Sequence, residues 1–277
     1  MTVLPGKRKE IQVMKYFGGC DVGSTYGKSV ILDENGTIVG SSIVRSKISA
    51  LETAKLALAE AIAPVEGLNN STELAYLVGT GYGRNKVPFA DENISEISCH
   101  AMGVHVTDPN VSTIIDIGGQ DIKGIAVDKD GTVSNFAMND KCAAGTGRFF
   151  EAMAAAFELN IEEFSKLSMT AKNVIPITAQ CSVFAESEVI SLVAEDKPKE
   201  EIAAGIQMAV AKRCFVMAKK AGTDGNITLT GGCAKNGGLK KALADVLKKD
   251  IIELKTDPQL MGALGAAEYA RQKGLAK

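Results

Sequence analysis

Apolar and small residues run from Tyr16 to Asp33, YFGGCDVGSTYGKSVILD, interrupted by the polar, glycine-bearing stretch at Gly23–Lys28. Such a run predicts a buried strand, a glycine turn and a second strand. Asn35-Gly36 is a hairpin signal, and Thr37–Val44 reads as the return strand. The period then changes. Leu51, Ala54, Leu58 and Ile62 recur at helical spacing within Ser49–Val65, and Leu74–Gly79 follows as a short buried strand. A second block, STIIDIGGQDIKGIAVDKDGTVSNFAM from Ser112, has the same grammar, with Asp130-Gly131 as its hairpin turn.

The two blocks align without gaps. An offset of 95 residues relates Asp21 to Asp116, Gly23 to Gly118, Lys28 to Lys123, Asp33 to Asp128, Gly36 to Gly131 and Thr37 to Thr132. Six matches that include the turn glycines indicate an internal duplication. The chain beyond is mostly helical. Phe149, Phe150, Met153 and Phe157 share a face of Gly147–Phe157, and Val183–Ala194 is amphipathic. A long helix runs from Pro198 to Lys220, with Gly222 as its C-cap. Ile227–Thr230 and Ile251–Leu254 read as strands, Leu239–Leu247 and Gly262–Lys273 as helices. The expected architecture is α/β, with a first half of residues 15–111 plus 257–277 and a second half of 112–256. Residues 1–14 are expected to form a mobile extension.

Composition narrows the function classes. The chain has 277 residues, 45% hydrophobic and 23% charged, which suits a folded two-domain protein. Lys and Arg number 31 against 33 Asp and Glu, so no basic surplus drives binding to nucleic acid. No apolar run approaches the ~18–20 residues of a membrane span, and no signal-type apolar segment follows Lys7-Arg8-Lys9. A cytoplasmic protein is expected. Six cysteines are too sparse for a disulfide scaffold.

Four motifs can carry chemistry. In Asp21-Val22-Gly23-Ser24-Thr25-Tyr26-Gly27-Lys28, small residues let amides and hydroxyls approach phosphate oxygens, Lys28 adds charge, and Asp21 is placed to hold Mg²⁺ through water. The turn leads into a strand, so this is not a P-loop. Asp116-Ile117-Gly118-Gly119-Gln120-Asp121 is its duplicate, with Asp116 as the second Mg²⁺ partner and Gln120 able to orient a water. Two ordinary glycine hairpins are the plainer alternative. Gly231-Gly232 ends a strand where backbone can meet a base or ribose. Finally, Cys142 and Cys181 each precede a helix, where dipole and free N–H groups favour thiolate or a negative cluster. Buried, inert thiols are the alternative here. Two cysteines per chain, doubled by a twofold axis, make the four ligands of a cluster. Cys99, His100 and His105 lack zinc-site spacing and are expected to serve local packing. Cys20, Cys214 and Cys233 are expected to be buried.

Taken in order, DVGSTYGK, GTGYGR, ISCHA, DIGGQD, NDKCAAGTGRF, CSVFAESEVIS and TGG resemble the ATP-dependent activators of 2-hydroxyacyl-CoA dehydratases and, more widely, the ATPase subunits of benzoyl-CoA reductases. The likeness runs from about Tyr16 to Tyr269. It implies the duplicated RNase H-like fold of the actin, Hsp70 and sugar-kinase superfamily, with ATP or ADP in the interdomain cleft. It also implies an oxygen-sensitive homodimer with one 4Fe-4S cluster held by Cys142 and Cys181 of both chains. Reduced ferredoxin or flavodoxin would supply an electron that ATP hydrolysis drives onto a separate dehydratase. Gly145 and Gln259 are carried over as further nucleotide contacts. A small-molecule kinase with structural cysteines, and a regulatory module that uses nucleotide only for shape, remain as other classes.

Overall fold

The computed structural model describes residues 14–178, 181–222 and 225–277. The expected extension lies outside them except for Met14. The chain folds as β1 (Phe17–Val22), β2 (Tyr26–Leu32), β3 (Ile38–Arg45), α1 (Ala50–Ile62), β4 (Tyr76–Thr80), β5 (Glu92–Asn93) and α2 (Glu96–Thr107). There follow β6 (Val111–Ile117), β7 (Ile122–Val127), β8 (Val133–Asn139), α3 (Gly147–Ala156), α4 (Ile161–Met169), α5 (Ser182–Ala194) and α6 (Lys199–Ala221). The chain closes with β9 (Asn226–Thr230), α7 (Gly237–Leu247), β10 (Ile251–Ile252) and α8 (Met261–Leu275).

These strands form two sheets of one plan. The first has the order β3-β2-β1-β4-β5 and the second β8-β7-β6-β9-β10. In both, the first three strands of a half are antiparallel and the later ones join in parallel. The repeat therefore sets register as well as order. Asp21 pairs with Lys28 across β1–β2 and Asp116 with Lys123 across β6–β7. Opposite residues of an antiparallel pair share a face, which is why an Asp and a Lys seven residues apart can bond. The turns also match: Gly23 N–H donates to Tyr26 O at 3.1 Å and Gly118 N–H to Asp121 O at 3.0 Å.

Two helices join the halves. One buried cluster takes Val30 and Leu32 from β2, Ala101 and Val104 from α2, Ile114 and Ile125 from β6 and β7, and Met261, Ala263 and Leu264 from α8. α2 and α8 cross at glycines, because a Cβ on Gly103 would run into the Met261 carbonyl and one on Gly265 into the Cys99 carbonyl. A second cluster lies under α3–α7, with Phe149, Phe150, Met153 and Phe164 buried. Each such side chain contributes ~1.5–3 kcal/mol on burial. Two helices that the hydrophobic period did not reveal are present, α2 and α4.

Candidate functional site

A cavity of about 700 Å³ opens between the sheets, a volume suited to a small-molecule ligand. Ser24, Thr25, Tyr26, Lys28, Asp116, Gly118, Gly119, Gln120, Gly231, Gly232 and Gln259 line it. The turns face each other closely: a Cβ on Gly119 would run into the Thr25 hydroxyl. Three expected residues stand back from the wall. Asp21 lies beneath it, 1% exposed. Gly27 is buried in β2 against Thr53. Gly145 is buried in the loop before α3, at φ 95°, against Ile122, Val210 and Arg213.

The floor is an ion-pair network. Lys28 Nζ is 3.0 Å from Asp21 Oδ2. Lys123, 1% exposed, holds Asp116 Oδ2 at 3.0 Å, Glu96 Oε1 at 3.0 Å and Asp121 Oδ2 at 2.8 Å. Burial works against charge at Asp116, but His100, Lys123 and the Thr230 hydroxyl outweigh it and hold its carboxyl below the usual range. Burial also works against the Lys123 ammonium, and its three carboxylates overcome that and hold its proton more tightly. Glu96 is shifted the other way: burial raises its proton affinity more than Lys123 lowers it. Asp21 Oδ1 and Thr25 Oγ1 are buried with no hydrogen-bond partner among the described residues. An unpaired buried oxygen of this kind suits a divalent cation reached directly or through water.

Two cleft residues were missed as such. His100, expected to serve local packing, lines the cavity with Nδ1 3.5 Å from Asp116 Oδ1. Glu96 opens α2 and faces the same space. The Ser95 cap marks a helix start in the sequence, but nothing local marks that start as lying at the cavity. His105 does pack locally, against Gly131. Cys20, Cys99 and Cys214 are buried, but Cys233 is half-buried and lines the cavity. Burial, with Asp116 and Glu151 nearby, pushes the Cys233 thiol up to about 12. Gln120 is exposed at the rim, its carboxamide 3.3 Å from the Arg148 guanidinium.

Cys142 and Cys181 are the two exposed cysteines. Cys181 is the N-cap of α5. Cys142 precedes a helix too but stands farther from it, in the loop between β8 and α3, before the Thr146 cap. That loop is tied to the cleft through α3. Gly147 N–H donates to Gly118 O at 2.9 Å and Arg148 N–H to Gly119 O at 3.1 Å. α3 also reaches the other half, where Arg45 Nη1 stands 3.7 Å from Glu151 Oε1 and its guanidinium lies over the Tyr26 ring. Two exposed thiols on segments linked by α3–α5 packing suit thiolate ligation of a shared cluster.

The family model of the BadF/BadG/BcrA/BcrD ATPases matches residues 19–270. The chain belongs to that family. Within it, the activator of lactoyl-CoA dehydratase from Anaerotignum propionicum is 45% identical over 255 residues, covering 92% of this chain and 97% of that one. The crystal structure of component A of the Acidaminococcus fermentans (R)-2-hydroxyglutaryl-CoA dehydratase superposes with a TM-score of 0.89 at 41% identity, over 95% of this chain and 100% of that one. The activator of the 2-hydroxyisocaproyl-CoA dehydratase from Clostridium difficile, with bound ADPNP, gives 0.88 at 43% identity, over 94% and 96%. A ROK family glucokinase from Streptomyces griseus shares the fold alone, with a TM-score of 0.52 at 12% identity and coverage of 94% and 100%. The fold of this ATPase is thus the duplicated RNase H-like one. No helix among the described residues is long and apolar enough to cross a membrane.

Proposed function

We propose that the chain is an ATP-hydrolysing one-electron donor that activates a 2-hydroxyacyl-CoA dehydratase in the cytoplasm. The observation that carries this reading is the latch of α3 onto the second turn, through Gly147 N–H to Gly118 O and Arg148 N–H to Gly119 O. It joins a nucleotide-sized cleft to the segment bearing Cys142, in a chain 45% identical to a dehydratase activator.

Ser24, Thr25 and Lys28 of the first turn, with the Gly119 amide of the second, bind the phosphates of ATP or ADP. Asp21 and Asp116 stand on the Mg²⁺ side, and Gly231, Gly232 and Gln259 meet the base end. Gln120 orients the attacking water from the rim. Glu96 faces the same space, and its raised proton affinity lets it take the water's proton. Cys142 and Cys181 of two chains hold a 4Fe-4S cluster, which when bound supplies a one-electron carrier refilled by reduced ferredoxin or flavodoxin. Because the halves meet at Thr25–Gly119 and Arg45–Glu151, closing on nucleotide shifts α3 and with it the Cys142 loop.

Anaerobic purification with iron and sulfide assay, then ATP-dependent reduction of a dehydratase component, tests the proposal. Expected are four irons and four sulfides per two chains and electron transfer that stops without ATP. Four irons per single chain would exclude the bridged arrangement. ATP turnover in protein free of iron, with no acceptor reduced, would sink the donor role.

A further inference from the structure

A polyanion needs positive charge, and the cleft floor has none to spare. Lys28 is engaged by Asp21 at 3.0 Å. Lys123 is engaged by Asp116 and Glu96 at 3.0 Å and by Asp121 at 2.8 Å. Two ammonium groups thus already face four carboxyl groups. The walls carry three further cations, Arg84, Lys141 and Arg148, and none of them has an ion-pair partner among the described residues. Arg84 Nη1 donates to the Gly81 carbonyl at 3.1 Å. Lys141 belongs to the loop beside Cys142. Arg148 is placed where the two turns meet: its backbone N–H is fixed to Gly119 O at 3.1 Å, and a Cβ on Gly119 would run into the Thr25 hydroxyl and lie 3.5 Å from that of Ser24.

Arg148 also goes against its local setting. It is the second residue of α3, whose first turn carries no acidic side chain. A cation there opposes the helix dipole, so the residue costs the helix stability. The first two amides of α3, on Gly147 and Arg148, are taken by the Gly118 and Gly119 carbonyls, which leaves the guanidinium as the group that can meet an anion. Its Nη1 and Nη2 each stand 3.3 Å from one carboxamide atom of Gln120. A guanidinium only donates, so the amide oxygen belongs at that place. A phosphoryl group is the stronger acceptor for the same fork.

We infer that Arg148 is a catalytic residue that recognises the terminal phosphate of ATP: its guanidinium exchanges the Gln120 carboxamide for the γ-phosphoryl oxygens and thereby frees Gln120 to hold the attacking water. In hydrolysis the water oxygen bonds to the γ-phosphorus as the bond from that phosphorus to the β,γ-bridging oxygen breaks. ADP keeps the bridging oxygen with its electron pair, and the water proton passes to Glu96. Arg148 stays protonated throughout and offsets the charge on the transferred group. This inference rests on the nucleotide reading of the cleft and adds to it the residue that tells ATP from ADP.

The test uses the whole chain, with ATP turnover beside calorimetric titration by ADP and by a non-hydrolysable ATP analogue. Arg148→Gln is expected to lower kcat by at least about a hundredfold. Its affinity for the analogue should fall by at least about tenfold while that for ADP stays within about threefold. Thermal stability should not fall, because the substitution removes a cation from a helix start. Guanidinium ion added to Arg148→Ala should restore part of the turnover, which a merely structural role would not allow. Turnover within about threefold of the unaltered chain in both variants overturns the inference. So does an equal loss of affinity for ADP and analogue, which would make Arg148 a general attractor of anions. Failure of the unaltered chain to bind either nucleotide overturns the nucleotide reading itself.

Discussion

At the scale of single residues, the cleft is governed by how its charges are shared. Lys123 serves three carboxylates while 1% exposed, so Lys123→Met should destabilise the fold by about 3–5 kcal/mol, as uncompensated buried charge does. Chemical denaturation at pH 7 measures it, and a loss under ~1 kcal/mol would mean that water already screens the network. Asp116 gives the pH dependence. Its folded-state pKa lies below the unfolded one, so its contribution is fully present above the ordinary carboxylate range and is lost as pH falls from that range down through the lower folded-state value. Asp116→Asn should flatten the acid limb of stability against pH; an unchanged limb would assign it to other carboxylates. Glu96→Gln should lower ATP turnover by at least about tenfold while nucleotide affinity holds. The turns were legible because D-x-G followed by Lys seven residues after the Asp states a hairpin register. His100 and Glu96 were not, because their partners lie on other strands and no local spacing announces them.

At the scale of elements, legibility followed packing. Strands and one-sided helices wrote their period into the sequence: the α3 face of Phe149, Phe150 and Met153 is buried as expected. α2 did not, since it is held between β6, β7 and α8 and has no broad polar face. α4 was announced only by its capping box, Asn160 with Glu163. Replacing Phe150, fully buried, by Ala should cost about 3–5 kcal/mol. Loss of only ~1 kcal/mol in denaturant would mean that the core beneath α3 closes over the gap. The Cys142 loop and the N-cap Cys181 are elements of another kind, exposed while the other cysteines are buried or half-buried. Cys142→Ser or Cys181→Ser should abolish iron retention with the far-ultraviolet dichroism unchanged, whereas Cys99→Ser and Cys214→Ser should keep iron. Iron retained in the first pair would remove those two residues as ligands.

At the scale of the whole molecule, the proposed coupling runs from cleft to α3 to loop, and coupling of binding is reciprocal. A coupling of ~1–3 kcal/mol corresponds to roughly 40–130 mV for one electron. The midpoint potential measured with ADP and with a non-hydrolysable ATP analogue should differ by that order; identical potentials and identical chelation rates would leave the latch without a signalling role. The placement of α8 has a separate consequence, for biosynthesis. This helix covers β1, β2 and β4, yet it is translated only after the entire second sheet. Domains ordinarily fold in the order they leave the ribosome. Here the first sheet must wait, with the apolar faces of Phe17, Val30 and Val78 uncovered, while its later-made neighbour can finish first. A nascent chain arrested before Met261 should therefore bind a holding chaperone through its opening strands and let go when α8 emerges.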